Sequence, residues 1–154
     1  MIHVLPDESS ILEMLSLMYG DNMTVTATSE LNYNNTYAAV YVNADGETGA
    51  VCVCDIPFAA YSSGALTMMP PDAVKEVVSS QDLSEMHLAN LYEVMNICTR
   101  LVISDNTEHL KLTEVLPISE ANEHIEAVQP AGLRKDFEVS IPRYGSGTLS
   151  FMVT

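Results

Sequence analysis

The sequence has few basic residues. Lys and Arg number 6 against 21 Asp and Glu in 154 residues, which gives a formal net charge of -15. Such a chain repels phosphate backbones, so we expect no nucleic-acid partner. The acidic excess favours solubility and could steer the protein toward a basic patch on a partner. It is equally typical of a salt-rich habitat, and the charge alone leaves both interpretations open.

Long apolar runs are absent as well. No stretch approaches the roughly 20 apolar residues that a membrane-spanning helix needs. The first residues, MIHVLPDESS, lack the basic and apolar regions of a secretory signal. Three cysteines, an odd number, do not suggest a disulfide framework. We therefore expect a cytoplasmic protein with no membrane partner.

The motifs of several catalytic classes are missing too. The sequence contains neither a Gly-x-Ser-x-Gly nucleophile elbow nor a glycine-rich phosphate loop. Cys52 and Cys54 would share one face of a strand, but zinc needs about four ligands and no second Cys or His pair completes the set. We interpret both cysteines as core residues and expect no metal ion or other cofactor on this chain.

The composition is that of a globular protein. Apolar residues make up 47% and charged residues 18%, and the length fits one domain over residues 1–154. Hydrophobic periodicity and turn residues divide the chain into two units, each a helix followed by three strands. The first unit has a helix that begins at Asp7 or Ser9 and ends at Gly20, then strands at 23–27, 37–42 and 49–54. The second has a helix at 82–102 and strands at 109–116, 136–141 and 148–153.

Shorter segments connect these elements. A helix that begins at Ile56-Pro57 and closes at Gly64, and another at 72–79, would join the two units, and a polar linker would follow Pro117 as far as Ala127. The repeated order predicts an α+β fold. We expect two long helices packed on one antiparallel sheet, with the two units related by a pseudo-twofold axis.

The predicted helix at 82–102 carries the candidate site. Asp82 or Ser84 can cap its start, and apolar residues recur along it at spacings of three and four. Glu93 and Asn96 lie three residues apart, so a carboxylate and a carboxamide should sit side by side on the exposed face. Taken alone, this spacing is also that of two ordinary surface residues.

In its context, the pair resembles the motif of the CheC/CheX family of chemotaxis phosphatases, most closely the single-motif CheX branch. The family pattern is an acidic residue or serine, Glu four residues later, Asn three after that, and Pro twenty-odd residues on. Glu93, Asn96 and Pro117 match it, and the resemblance covers most of the chain in element order.

The resemblance implies a role in two-component signal transduction. The substrate would be the aspartyl phosphate of a CheY-like receiver domain, and the magnesium ion would belong to that partner. Asn96 would align a water for in-line attack, and Glu93 would pair with a lysine of the partner. Catalysis would then be positioning, without a covalent intermediate on this chain.

Three residues depart from the family pattern. Ala89 stands at the acidic or serine position, Tyr92 replaces a small residue before the glutamate, and Arg100 replaces another small residue one turn after Asn96. These side chains could crowd the approach of a partner. The alternative function is therefore a CheX-like module without enzymatic activity that binds a receiver domain or forms a homodimer.

Overall fold

The computed structural model of the chain describes residues 4–29, 34–104, 107–129 and 133–154. The helices among them are α1 (Glu8–Tyr19), α2 (Ile56–Leu66), α3 (Pro71–Ser80), α4 (Glu85–Ile97) and α5 (Asn122–Val128). The strands are β1 (Thr24–Thr28), β2 (Tyr37–Val42), β3 (Thr48–Cys54), β4 (Lys111–Pro117), β5 (Leu133–Ile141) and β6 (Gly145–Val153). Two 3₁₀ helices, Cys98–Leu101 and Ile118–Glu120, follow α4 and β4.

The six strands form one antiparallel sheet in the order β1-β5-β6-β3-β2-β4. If β1, β2 and β3 are exchanged with β4, β5 and β6, the same order is obtained in reverse. Every strand pairing therefore has its counterpart, and the symmetry axis passes between the two central strands, β3 and β6. The α+β fold with an internal pseudo-twofold is confirmed.

The two faces of the sheet are covered differently. On one face α1, α2 and α4 enclose the main core, to which the central strands contribute Cys52, Cys54, Leu149 and Phe151. On the other face α5 covers a smaller apolar cluster that includes Val51, Val53 and Val128. Because successive strand residues point to opposite faces, β3 supplies both clusters and is buried from Gly49 to Cys54.

Local sequence signals set several helix ends. Asp7 caps α1 by accepting the N–H of Ser10 at 2.8 Å. Asp55 caps α2 by accepting the N–H of Phe58 at 2.9 Å, and the same oxygen accepts the N–H of Thr148 at 3.0 Å. A single carboxylate thus fixes the start of α2 and its position on β6.

Gly64 does not close α2, contrary to our prediction. The helix continues to Leu66, and Gly64 lies inside it. A Cβ added to Gly64 would lie 2.5 Å from Cγ2 of the buried Val74 on α3. The glycine therefore allows two helices to approach each other closely, a role that sequence spacing does not distinguish from a helix stop.

The predicted linker before Ala127 was also wrong, because it contains a 3₁₀ turn and α5. Apolar residues recur there at helical spacing: Ile118, Ala121, Ile125 and Val128. His124 ties α5 to the sheet: its Nδ1 lies 2.8 Å from Oγ1 of Thr48, and its Nε2 lies 3.3 Å from a carboxylate oxygen of Glu114. Among the described residues, no helix is long and apolar enough to span a membrane.

Candidate functional site

Helix α4 carries the predicted site residues and is held firmly on the sheet. Ser84, rather than Asp82, caps its start and accepts the N–H of His87 at 3.3 Å. The buried Tyr41 hydroxyl on β2 donates to the Met95 carbonyl at 2.6 Å. The side-chain amide of Asn90 donates to the Ser63 carbonyl of α2 at 3.0 Å. These contacts fix both ends and one flank of the helix.

Helix α4 ends earlier than the apolar pattern predicts. It stops at Ile97, and the chain continues as a 3₁₀ helix, Cys98–Leu101. Cys98 and Leu101 still face the core, so the apolar spacing persists although the helix type changes. Arg100 therefore lies beyond the end of α4, rather than one regular turn after Asn96 on the same helix.

Glu93 and Asn96 are both exposed on the outer face of α4, while Val94 and Met95 between them are fully buried. Neither side chain forms a hydrogen bond or ion pair with the part of the chain that the structure describes. A carboxylate only accepts hydrogen bonds, whereas a carboxamide both donates and accepts. The pair is therefore available to an external partner from a rigid support.

The three departing residues all lie around this pair. Ala89 is exposed one turn before Glu93. Tyr92 is 36% exposed, and its hydroxyl lies 3.5 Å from the Leu112 carbonyl of β4, a long contact for a hydrogen bond. Arg100 is exposed beside Asn96. The structure thus brings Glu93 and Asn96 onto one surface with the three departing residues.

Pro117 is not part of this surface. It ends β4, where it pairs with Tyr37, while Lys111 at the other end of the strand lines the same concave surface as Asn96. At about 3.4 Å per residue, the two ends of β4 are about 20 Å apart. Pro117 acts as a strand stop here.

A groove of about 970 Å³ opens beside Asn96. Its walls are residues 4–7 before α1, α1 itself, and residues within 96–103 and 109–111. The residues that define its character are Leu17, Asn96, Arg100, Leu101, His109 and Lys111. Glu93 is not among the lining residues, so only one member of the pair faces the groove. The groove could not be predicted from the sequence, because its walls are far apart in the chain.

The pseudo-twofold gives the pair a counterpart on α1. The shift that matches the buried Ile11 and Leu15 to the buried Leu91 and Met95 also matches Glu13 to Glu93 and Ser16 to Asn96. A serine hydroxyl lacks the planar donor and acceptor of a carboxamide. Helix α1 therefore offers a natural control for variants at the α4 pair. The register of buried residues, which only the structure reveals, was needed to find it.

The three cysteines and the buried histidine of α4 have structural roles. Cys52, Cys54 and Cys98 are fully buried in the main core, and burial raises the pKa of each thiol. His87 is buried, its Nδ1 lies 2.7 Å from Oγ of Ser84, and burial lowers the pKa of the ring. Within the described ranges, no group of three or more His, Cys, Asp or Glu could hold a metal ion.

No protein-family model matches the sequence, and no curated protein matches it. Solved structures do match. The chain is similar to FliY of Thermotoga maritima with a TM-score of 0.55 and 15% identity, over 96% of this chain and 89% of that one. It is similar to the FliM middle domain of Vibrio alginolyticus with a TM-score of 0.52 and 10% identity, over 95% of this chain and 87% of that one. For a chain of the CheX–CheY–BeF3–Mg²⁺ complex of Borrelia burgdorferi the TM-score is 0.42 and the identity is 13%, over 96% of this chain and 97% of that one.

The two stronger matches define the class of fold. FliY and the FliM middle domain are of the CheC/FliM type, and each match spans nearly the whole chain. At these identities the likeness concerns the fold. The resemblance to the CheC/CheX family predicted from the sequence is confirmed at that level.

Proposed function

We propose that this chain is a CheX-like protein that hydrolyses the aspartyl phosphate of a CheY-like receiver domain. The observation that carries the proposal is the exposed, unpaired Glu93–Asn96 pair on a helix anchored to the sheet. The family resemblance of the motif and the CheC/FliM-type fold support the same function.

In the proposed mechanism, Asn96 enters the partner's phosphorylation site. Its carboxamide accepts a hydrogen bond from the attacking water with its oxygen and donates with its nitrogen, which aligns the water with the phosphorus–oxygen bond. The magnesium ion of the receiver neutralises charge on the phosphoryl group. Since this chain forms no covalent intermediate, the acceleration comes from positioning alone.

Glu93 has a different role in this proposal. It lies one helical turn before Asn96, so its carboxylate would contact the partner beside the phosphorylation site. An ion pair with a lysine of the receiver would fix the orientation of the complex. Glu93 would therefore contribute to affinity, and Asn96 to the rate of hydrolysis.

A second candidate function is a binding or dimerisation module that has lost phosphatase activity. Tyr92 and Arg100 favour it, because both are exposed next to Asn96 where the family pattern has small residues. A bulky ring and a guanidinium at these positions would hinder the entry of Asn96 into a partner's site. Ala89 also lacks the polar group that the pattern has there.

The test is to incubate the protein with phosphorylated receiver domains from the same genome and to follow the lifetime of each aspartyl phosphate. A phosphatase shortens the lifetime for at least one receiver that it binds. If it binds a receiver without shortening the lifetime, the binding-module function is correct. In that case Tyr92→Gly combined with Ala89→Asp tests whether the departing residues suppress activity.

A further inference from the structure

The imidazole of His87 is buried under the first turn of α4 without a full set of partners. The residue is 3% exposed, although Ser84, Glu85 and Met86 before it are exposed. Its Nδ1 lies 2.7 Å from Oγ of Ser84, and its Nε2 is buried with no hydrogen-bond partner among the described residues. A buried ring nitrogen without a partner is uncommon, because the loss of its contact with water is not compensated. The mechanism proposed for Glu93 does not use this ring.

The neutral ring fits this position better than the charged one. A neutral imidazole has one N–H, so its Nδ1 either accepts from the Ser84 hydroxyl or donates to it, and both arrangements leave only Nε2 without a partner. A proton added to the ring makes both nitrogens donors, and Nε2 then carries a buried N–H with no acceptor. The charge would also lie at the N-terminal end of α4, where the peptide dipoles repel a cation.

Among the described residues, no carboxylate compensates for such a charge. Glu85 is two residues away on the same helix, so it lies on another face and is exposed. Burial alone lowers the pKa of His87 from its ordinary value of 6.5, without a contribution from any charged side chain. The titratable side chains of α2, α3, β2, β4, the 3₁₀ helix 98–101 and the segment before α4 are Tyr61; Asp72, Lys75 and Glu76; Tyr37 and Tyr41; Lys111 and Glu114; Cys98 and Arg100; and Asp82.

The two halves of α4 are held by different contacts. Tyr41 and Asn90 anchor the second half to β2 and α2. The first turn depends on Ser84 instead: its Oγ accepts the N–H of His87 at 3.3 Å, and its carbonyl accepts the N–H of Leu88 at 3.0 Å. Helix ends open at a lower free energy than the whole protein unfolds, so the first turn can open while the second half stays on the sheet.

We propose that His87 makes the first turn of α4 sensitive to acid: when its ring takes up a proton, residues 84–89 leave the core, while the half of α4 that carries Glu93 and Asn96 stays in place. An exposed ring binds a proton near pH 6.5, whereas the buried ring does so only at lower pH. The closed turn is therefore fully favoured above pH 6.5 and loses this advantage as the pH falls below it. The proposal concerns this helix alone and is independent of phosphatase activity.

The experiment measures amide hydrogen exchange by NMR at pH 7.5 and at pH 5.5, with each rate corrected for the intrinsic exchange rate at that pH. Ordinary carboxylates stay ionised over this interval, so histidines are the side chains that titrate. For the amides of Leu88 and Ala89, we expect the open fraction to rise about three- to tenfold at the lower pH, since each pH unit below 6.5 favours the protonated, open turn by up to about tenfold. The amides of Val94 and Met95 should change by less than about twofold.

Two variants and one matched control complete the test. His87→Leu and His87→Gln cannot take up a proton, so either should abolish the rise at Leu88. The matched control is His124→Gln, which removes a histidine on α5 and should leave the rise unchanged. The proposal is overturned if wild type shows no rise, or if the rise persists in both His87 variants. It is also overturned if His124→Gln abolishes the rise, or if Val94 responds as strongly as Leu88.

Discussion

The hydroxyl of Tyr41 on β2 donates a hydrogen bond of 2.6 Å to the carbonyl of Met95, the residue before Asn96 on α4. Carbonyl groups in the last turn of a helix lack regular partners, and α4 ends two residues later at Ile97. Tyr41 therefore supplies a partner at the point where the helix changes to a 3₁₀ turn. It also fixes the backbone that presents Asn96 to solvent.

Tyr41→Phe should lower the free energy of unfolding by about 1–3 kcal/mol, because the Met95 carbonyl would be buried without a partner. Urea denaturation measures this loss. Tyr61→Phe is the control, since the Tyr61 hydroxyl has no partner among the described residues and its loss should change stability by less than about 0.5 kcal/mol. Equal stability of Tyr41→Phe and wild type would refute the role assigned to this contact.

The effect of Gly64→Ala on stability should change sign with the residue at position 74. In the wild-type background the added Cβ would lie 2.5 Å from Cγ2 of Val74. This overpacking should lower the free energy of unfolding by about 1–3 kcal/mol. The higher helix propensity of alanine offsets this by only up to about 1 kcal/mol. In a Val74→Ala background the clash is removed, so Gly64→Ala should stabilise the protein. Denaturation of the four proteins of this cycle measures both effects. Destabilisation in both backgrounds would show that the contact with Val74 is not the cause.

Stability should fall as the pH rises above about 9, because the three thiols are buried. Burial raises the pKa of Cys98 from 9.0 to about 12 and raises the pKa values of Cys52 and Cys54 well above 9.0. Above pH 9 the unfolded chain releases thiol protons that the folded chain retains. The thiols therefore contribute their full share to the free energy of unfolding below pH 9, and this contribution is lost as the pH rises further. Each thiol contributes a loss of about 1.4 kcal/mol per pH unit in this range. Denaturation in reducing buffer should therefore show a shallower pH slope for Cys98→Ala, and an unchanged slope would contradict this account.

The features that depend on local patterns could be predicted from the sequence. For α1 and α4 the structure uses one of the two candidate caps in each case, Asp7 and Ser84, and the hairpin of β2 and β3 and the exposure of Glu93 likewise follow from residues close together in the chain. The 3₁₀ turn after Ile97 was missed because the apolar spacing of Cys98 and Leu101 fits either helix type. The groove was missed because α1 and the start of β4 meet only in the folded protein.

Glu93→Ala should weaken the complex with a receiver and leave the rate at saturation unchanged, because its proposed role is an ion pair across the interface. An exposed pair is worth up to about 1 kcal/mol, which corresponds to about a fivefold loss of affinity. Phosphoryl lifetimes measured over a range of protein concentrations separate affinity from rate. Glu76→Ala, at an exposed position on α3 outside the groove, should change neither. A lower rate at saturation for Glu93→Ala would assign Glu93 a catalytic role instead.

The most direct test of the proposed function is to measure the lifetime of a receiver's aspartyl phosphate in the presence of a saturating concentration of the Asn96→Ala variant. We predict that the variant loses about a hundredfold in rate, since the attacking water is no longer aligned. Its thermal stability should stay within about 0.5 kcal/mol of wild type, because Asn96 is exposed and alanine favours the helix. Ser16→Ala on α1 should accelerate hydrolysis as well as wild type does. An Asn96→Ala variant that shortens the phosphoryl lifetime as strongly as wild type would contradict the mechanism.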